Sequence, residues 1–164
     1  MTVTMFILVL AATCTALMAG LFYAYSCSVT PGLSTLPDAG YIEAMRSINR
    51  AIQNPLFFTV FFGALILLPV SAYLSYSSVS PLRCWLLSSA ATIYISGVFI
   101  VTAVGNVPLN NALEKFNSFD ATKEDVAAQR TVFEARWNNL NLVRTAASTI
   151  SLIRRRKIMV VALA

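Results

Sequence analysis

The sequence predicts an all-α fold, an integral membrane four-helix bundle with short amphipathic interfacial helices in its two outer connectors. Of the 164 residues, 57% are apolar and only 12% are charged. The mean hydropathy is +0.70, and each crossing of a bilayer takes roughly 20 apolar residues. We therefore expect a single membrane domain over residues 1–164. Its spans are predicted at about residues 3–24, 56–76, 85–104 and 138–153.

The first span is expected to end near Ala24, because Pro31, Gly32 and Pro37 follow it. Small residues repeat along this span at intervals of four: Ala12, Ala16, Gly20 and Ala24. Such ladders let helices approach closely in lipid. The ladder therefore predicts close packing on another helix, in this chain or in a second copy within a homo-oligomer.

The first outer connector contains an amphipathic helix that runs from Asp38 to about Gln53. Its apolar stripe consists of Tyr41, Met45, Ile48 and Ile52, and its polar face consists of Glu43, Ser47 and Arg50. This pattern is typical of a helix that lies on the membrane surface or folds over the mouth of a bundle. Asn54 and Pro55 then predict the N-cap and the first residue of the second span.

The third span begins at an interface marked by Arg83 and Trp85. Gly105 and Pro108 are expected to break this span just after Val104. The chain would then leave the membrane and enter the second outer connector.

The fourth helix is expected to start near Thr122, whose spacing from Asp125 is that of a capping box. We expect it to continue without a break through Trp137 into the fourth span, and to stop at the basic block 154–157. With four spans both termini share one side. The basic block and Arg83 lie there, so the positive-inside rule places both termini in the cytoplasm, in a bacterial inner membrane.

Arg144 lies on one face of the fourth helix with Trp137, Asn141, Ser148 and Ser151. Their spacings of four, three, four and three follow a single helical stripe. An arginine at membrane depth is unfavourable unless it faces a bundle interior, water or a partner. The stripe therefore predicts that Arg144 points into a polar-floored pocket, held by amides of neighbouring helices.

Polar side chains gather where three helices meet the outer interface. They are Asn49 before span two, Asn106, Asn110 and Glu114 after span three, and Trp137, Asn141 and Arg144 at the start of span four. We expect Glu114 or Glu134 to pair with Arg144 or to act as a general base. The alternative is an asparagine–arginine network that only fixes the positions of loops and helices.

Several classes of function are disfavoured by composition. The chain has no histidine, and its three cysteines are widely separated, so we expect no metal site. The net charge of +5 comes from residues at span ends and in short helices, without an exposed basic face. We therefore expect the lipid bilayer, and no nucleic acid, as a partner.

Four segments of the chain carry a family resemblance: GLFYAYSCSVTPGL, RSINRAIQNPLF, GNVPLNNALE and FEARWNNLNLVRTAAS. Together they resemble the anthrone-oxygenase-like family of small membrane proteins, many of whose members have no known function. The most specific parts are NVPLN, at residues 106–110, and RWN-x-x-N-x-x-R, at residues 136–144. The resemblance implies a four-helix membrane protein that oxidises an anthrone to an anthraquinone with dioxygen, as a monooxygenase without cofactor.

The resemblance also implies roles for the polar clusters around a lipophilic aromatic substrate. Arg144 and Glu114 would be catalytic, with Glu114 as the base. The substrate-binding residues would be Tyr23, Asn49, Asn106, Asn110, Trp137 and Asn141. In such a reaction an acidic carbon between aromatic rings loses a proton, and the substrate itself reduces dioxygen in a dry pocket.

Two other functions are compatible with the sequence. A non-catalytic membrane protein, either a small-molecule binder or a subunit of an assembly, is favoured by the small-residue ladder and by the lack of a nucleophile–base pair. A transporter is less favoured, because the chain is short and shows no inverted repeat.

Overall fold

The computed structural model describes residues 3–76, 81–118 and 120–162, with side chains described as far as residue 154. All regular structure in these ranges is helical, which confirms the all-α prediction there. The elements are α1 (Val3–Ala24), π1 (Tyr25–Val29), α2 (Thr30–Ser34), α3 (Asp38–Ala51), α4 (Pro55–Leu74), α5 (Pro81–Tyr94), π2 (Ile95–Asn106), α6 (Val107–Lys115) and α7 (Lys123–Ala162).

Three continuous helices are long and apolar enough to cross a membrane: Val3–Ser34, Pro55–Leu74 and Pro81–Lys115. They correspond to the first three predicted spans, the second of which ends at Leu74 rather than near residue 76, and they have the length and composition of an integral membrane protein. The fourth predicted span, in α7, is not among the candidates found in the described ranges. Asn138, Asn141 and Arg144 lower the mean hydropathy of that segment.

Two of the membrane helices continue where prolines were expected to end them. The first runs past Ala24 and Pro31 through π1 and α2. The third runs past Gly105 and Pro108, because π2 leads directly into α6. Both expected breaks are therefore wrong, and each helix reaches further toward the outer connectors than predicted.

A π-helical segment precedes each of these prolines and ends two positions before it. In π1 the N–H of Thr30 donates to the carbonyl of Tyr25, and in π2 the N–H of Val107 donates to that of Thr102. Proline normally disrupts a helix because it has no N–H and its ring clashes with the carbonyl four residues earlier. The wider π turn changes the positions of these carbonyls, so that the helix can continue.

The long helices pack around a common apolar core. α1 packs against α4 and α7, and α5 also packs against α4 and α7. The largest buried side chains of this core are Met18, Phe22, Phe61, Leu68, Tyr94 and Val98.

The start of α7 confirms the predicted capping box. The N–H of Asp125 donates to Thr122 Oγ1 over 3.1 Å, and the N–H of Thr122 donates to Asp125 Oδ2 over 3.2 Å. α7 then runs for 40 residues, so it passes through the basic block, and the expected stop at residue 154 is wrong. A helix of this length measures roughly 60 Å.

The outer connectors form a second layer, which we call the cap: α3, α6 and residues 123–137 of α7. Its core consists of Tyr41, Ile42, Met45, Leu113, Val126, Phe133 and Trp137. The amphipathic helix α3 is thus confirmed, and it folds over the mouth of the bundle. Of its predicted stripe Tyr41 and Met45 are buried, whereas Ile48 and Ile52 are only partly so. Arg46 and Asn49 complete the buried face.

Arg130 fastens the start of α3 to α7. Its guanidinium donates to the carbonyls of Leu36 and Ser34 over 2.7 and 2.8 Å. It also pairs with Asp38 at 2.9 Å and with Glu134 at 3.0 Å. Arg130 thus joins α3, and the segment that precedes it, to α7 on one side of the bundle.

Gly97 is the point of closest approach between π2 and α7. A Cβ atom at this position would overlap the Cβ of Ala147. We expect Gly97→Ala to lower the free energy of unfolding by about 1–3 kcal/mol, because the helices must move apart. Gly32→Ala is the matched control, since nothing lies within 4 Å of a Cβ there. The measurement is the free energy of unfolding in detergent. Equal values for both variants and the wild type would contradict the close contact.

Candidate ligand-binding site

A cavity of about 280 Å³ lies between the cap and the adjoining ends of α1, α4, π2 and α7. Its aromatic lining consists of Phe22, Tyr25, Phe57, Phe58, Phe61, Phe62, Phe99 and Trp137. Its polar lining consists mainly of Asn49, Gln53, Asn106, Asn110, Asn111, Asn141 and Arg144. The cavity therefore combines a wall of aromatic rings with a floor of amides and one guanidinium.

The predicted polar stripe of α7 faces the interior along its whole length. Trp137, Asn141, Arg144, Ser148 and Ser151 are all buried. Ser148 donates to the carbonyl of Arg144 over 2.7 Å, and Ser151 donates to the carbonyl of Ala90 over 2.9 Å. The stripe thus holds α7 against the bundle, and its first three residues also line the cavity.

The guanidinium of Arg144 is 7% exposed and lies among aromatic rings. Its Cζ is 4.5 Å from the ring centroid of Phe22 and 5.4 Å from that of Trp137. Nη2 donates to Asn141 Oδ1 over 3.0 Å. Within the described residues no carboxylate pairs with Arg144, so its charge is balanced only by an amide oxygen and by π faces.

Asn141 positions Arg144 and ties α7 to α1. Its Nδ2 donates to the carbonyl of Phe22 over 3.1 Å and to Ser26 Oγ over 2.9 Å. The sequence predicted that amides of neighbouring helices would hold Arg144. That prediction is wrong in detail, since the amide belongs to α7 itself, one turn earlier, and is oriented by groups of α1.

Several buried polar atoms around the cavity make no hydrogen bond with the described protein groups. They are Asn49 Nδ2, both side-chain heteroatoms of Asn106, Asn110 Oδ1, Trp137 Nε1 and Arg144 Nε. Buried polar groups are nearly always paired, and exceptions often mark functional positions. These residues come from α3, π2, α6 and α7, as the sequence predicted, and their free donors and acceptors are available to a ligand.

The two glutamates predicted to pair with Arg144 are found elsewhere. Glu114 is exposed and binds Arg50 at 2.6 Å, and this hydrogen bond raises the pKa of the Arg50 guanidinium. Glu134 binds Arg130 at 3.0 Å. Neither carboxylate lines the cavity, so the geometry does not support Glu114 as the base. Glu114 lies one turn after Asn110, at a point where α6 no longer lines the cavity and packs against α3.

Tyr25, rather than Tyr23, contributes the aromatic ring from the first membrane helix. Tyr23 is 61% exposed on the outer face of α1. Tyr25 lines the cavity, and its ring centroid is 5.4 Å from that of Trp137. The expected position of Tyr23 is therefore wrong. The spacing of three between Phe22 and Tyr25, typical of one helical face, is a signal that could have identified the correct residue but was not used.

The phenylalanines of α4 and π2 form most of the apolar wall and were not predicted. Phe57 and Phe61 stack with centroids 5.4 Å apart, and Phe61 lies 5.9 Å from Phe99. In an apolar span such residues resemble ordinary core or lipid-facing side chains. Only the arrangement of the helices shows that they face the same space as Arg144.

Residues 57–153 match the model of a protein family described as anthrone oxygenase. The chain belongs to this anthrone oxygenase family. The match covers more than half of the chain and includes the NVPLN and RWN-x-x-N-x-x-R segments, and thus most of the cavity lining. Comparisons with curated proteins and with solved structures gave no match. The match therefore confirms the predicted family. It does not identify the substrate, which is inferred below from the chemistry of the cavity.

Proposed function

We propose that this membrane protein binds a lipophilic aromatic small molecule with an acidic or enolisable oxygen group, and oxidises it with dioxygen. The observation that carries the proposal is the buried guanidinium of Arg144, which has no carboxylate partner among the described residues. An unpaired buried charge is strongly unfavourable. A ligand that brings a phenolate or enolate oxygen would compensate it.

The shape of the cavity supports the same ligand class. Its volume of about 280 Å³ lies near the lower end of small-molecule sites, which begin at roughly 300 Å³. A flat fused-ring molecule would lie against Phe61, Phe99 and Trp137. Its oxygen atoms would meet Arg144 and the free amide groups of Asn106 and Asn110, which lie on the polar side.

The proposed reaction needs only the substrate and dioxygen. A CH₂ group between two aromatic rings loses a proton to water to give an enolate, whose negative oxygen is stabilised by Arg144 and Asn106. The enolate reduces dioxygen, a C–O bond forms at the former CH₂ carbon, and loss of water leaves a ketone. The balance is R₂CH₂ + O₂ → R₂C=O + H₂O. No carboxylate or imidazole in the described cavity lining removes the proton, so the acidity of the substrate matters.

The experiment is an oxidation assay on the purified protein in lipid nanodiscs with anthrone under air. We expect protein-dependent formation of anthraquinone with one dioxygen consumed per quinone, above the rate without protein. Asn106→Leu should lower kcat/KM by roughly tenfold, the effect of about one hydrogen bond. Asn139→Leu is the matched control, because Asn139 is exposed on α7 and does not line the cavity.

A non-catalytic binder is the second candidate, favoured by the lack of a carboxylate or imidazole in the described cavity lining. Titration with anthraquinone, which does not react with oxygen, separates the two functions. Binding that weakens in Asn106→Leu, together with no oxygen uptake, would replace the enzyme with a binding protein. If the protein neither binds anthraquinone nor oxidises anthrone, both proposed functions are contradicted.

We also propose that α7 completes a four-helix membrane bundle. The exposed residues between positions 140 and 153 are Leu142, Val143, Ala146, Ile150 and Ile153, all apolar, while the buried face is polar. That distribution suits a helix with lipid outside and a polar interior, and it explains why average hydropathy misses this span. Arg154, which donates to Ser89 over 2.8 Å, would lie at the inner interface.

If α7 crosses the membrane, both termini share one side. Because Arg83 and the basic block 154–157 lie on that side, we propose that it is the cytoplasm, that the cap faces outward and that the membrane is a bacterial inner membrane. Gly20 and Ala24 of the small-residue ladder are exposed on α1. We propose this face as the contact in a homo-oligomer, which cross-linking in membranes would detect.

A further inference from the structure

The cavity has an opening on one side of the bundle, between α4 and the π2–α6 helix. Of the residues that line the cavity, those from α1 and α7 are buried or partly buried. The exposed apolar ones are Phe58 and Phe62 of α4 and Ala103 and Val107 at the end of π2 and the start of α6. An exposed side chain that also lines the cavity marks the opening. The exposed polar lining residues Gln53 and Asn111 show that the opening also reaches the cap.

The opening lies where α4 and π2 make little backbone contact. Within the described ranges α4 packs closely along α5, but its close backbone contacts with π2 are few. Phe62 of α4 and Phe99 of π2, which both line the cavity, meet across this gap with ring centroids 6.4 Å apart.

The surface around this opening is apolar. Ile66 of α4 and Ile100 and Val104 of π2 flank it and are 59%, 48% and 73% exposed. All three belong to helices long and apolar enough to cross a membrane. A soluble protein would bury such a surface, whereas in a bilayer it faces the acyl chains.

We infer that this opening is a lateral portal through which a lipophilic molecule passes from the bilayer into the cavity without entering water. The inference rests on the proposed function for the nature of the ligand, but the portal itself is defined by Phe58, Phe62, Ala103 and Val107. A molecule entering here would pass the phenylalanine rings of α4 and reach Arg144 and Asn106 at the far side of the cavity.

Quenching of Trp137 tests the portal without any ligand. The chain contains two tryptophans, and Trp85 is exposed at the start of α5, so Trp85→Phe leaves Trp137 as the sole tryptophan, which is excited selectively over the tyrosines. In liposomes we expect a lipophilic nitroxide dissolved in the bilayer to quench Trp137, although this side chain is only 5% exposed. Adding Ala103→Phe should reduce the quenching constant several-fold, because the larger side chain narrows the portal.

Leu142→Phe is the matched control, since Leu142 is exposed on α7, away from the portal, and does not line the cavity. It should leave quenching by the nitroxide unchanged. Stronger quenching by water-soluble acrylamide than by the nitroxide, unaffected by Ala103→Phe, would overturn the portal and place the entrance on the aqueous side. Because the fluorescence measurement needs no substrate, it tests the portal even if the protein does not oxidise anthrone.

Discussion

Arg144→Gln is expected to lower kcat/KM for anthrone oxidation by roughly 10²–10³-fold, the usual effect of removing one donor to a developing oxyanion. The guanidinium is buried beside the cavity, and its Nε has no protein partner among the described residues. Glutamine keeps a polar side chain but removes the charge. The measurement is the steady-state rate of quinone formation in nanodiscs, corrected for oxidation without protein.

Arg144→Lys separates charge from geometry. Lysine keeps the positive charge but not the planar fork that donates to Asn141 and lies over the rings of Phe22 and Trp137. We therefore expect an activity between those of the wild type and Arg144→Gln. Arg50→Gln is the control for loss of one arginine, because Arg50 is exposed and lies outside the cavity. Equal activity of Arg144→Gln and Arg50→Gln would contradict a role for Arg144 in the reaction.

The same position should show the opposite effect on stability. Arg144→Met fills a similar volume without a charge, and replacing buried charged groups by apolar ones often stabilises a protein by about 1–4 kcal/mol. We expect this variant to unfold at a higher temperature in detergent while it loses activity. Such a combination indicates a residue kept for function at the expense of stability. A lower unfolding temperature would instead indicate that Arg144 mainly holds helices together.

The inward stripe of α7 could be predicted because periodicity depends only on the spacing of residue types. Arg144 had to face inward, since an arginine in an apolar segment has few other stable positions. The N-cap at Asn54 and the capping box at Thr122 were equally local, and both are present. Features that depend on a few neighbouring residues were thus accessible from the sequence.

The continuation of two membrane helices past Pro31 and Pro108 could not be predicted in this way. Proline ends most helices, and nothing local in the sequence marks the π segments that accommodate these two. The error had consequences for the site. Because π1 extends the first helix, Tyr25 reaches the cavity. Because α6 extends the third, Glu114 is carried under α3, where Arg50 binds it.

Which charged residues pair across distant segments could also not be predicted from the sequence. Glu114, Glu134 and Arg144 have suitable charges for pairing, and charge alone does not decide which arginine each glutamate meets. The structure pairs both glutamates with arginines of the cap. The result is more informative than the predicted pair, because it leaves the charge of Arg144 uncompensated within the described residues.

Arg46→Met is expected to destabilise the cap more than any surface substitution. The Arg46 guanidinium donates to the carbonyl of Leu113 over 3.0 Å and also to that of Phe116, at the end of α6. The last carbonyls of a helix have no partner within it. Methionine covers the same apolar surface but donates nothing. The carbonyl of Leu113 still accepts from the N–H of Phe116. The carbonyl of Phe116 loses the Arg46 donor, which should lower the free energy of unfolding by about 1–3 kcal/mol.

Limited trypsin digestion and thermal unfolding in detergent together identify where the loss occurs. Lys115 and Lys123 flank the connector that Arg46 holds, since Arg46 also donates to Ser118 over 3.2 Å and pairs with Glu43 at 2.6 Å. Faster cleavage there, with a lowered unfolding temperature, is the expected result. Arg136→Met is the matched control, because Arg136 is exposed on α7. Because Asn49 lies one turn beyond Arg46 on α3 and lines the cavity, a loosened cap should also weaken anthraquinone binding. Unchanged cleavage and binding would show that apolar packing of α3 suffices to close the cavity.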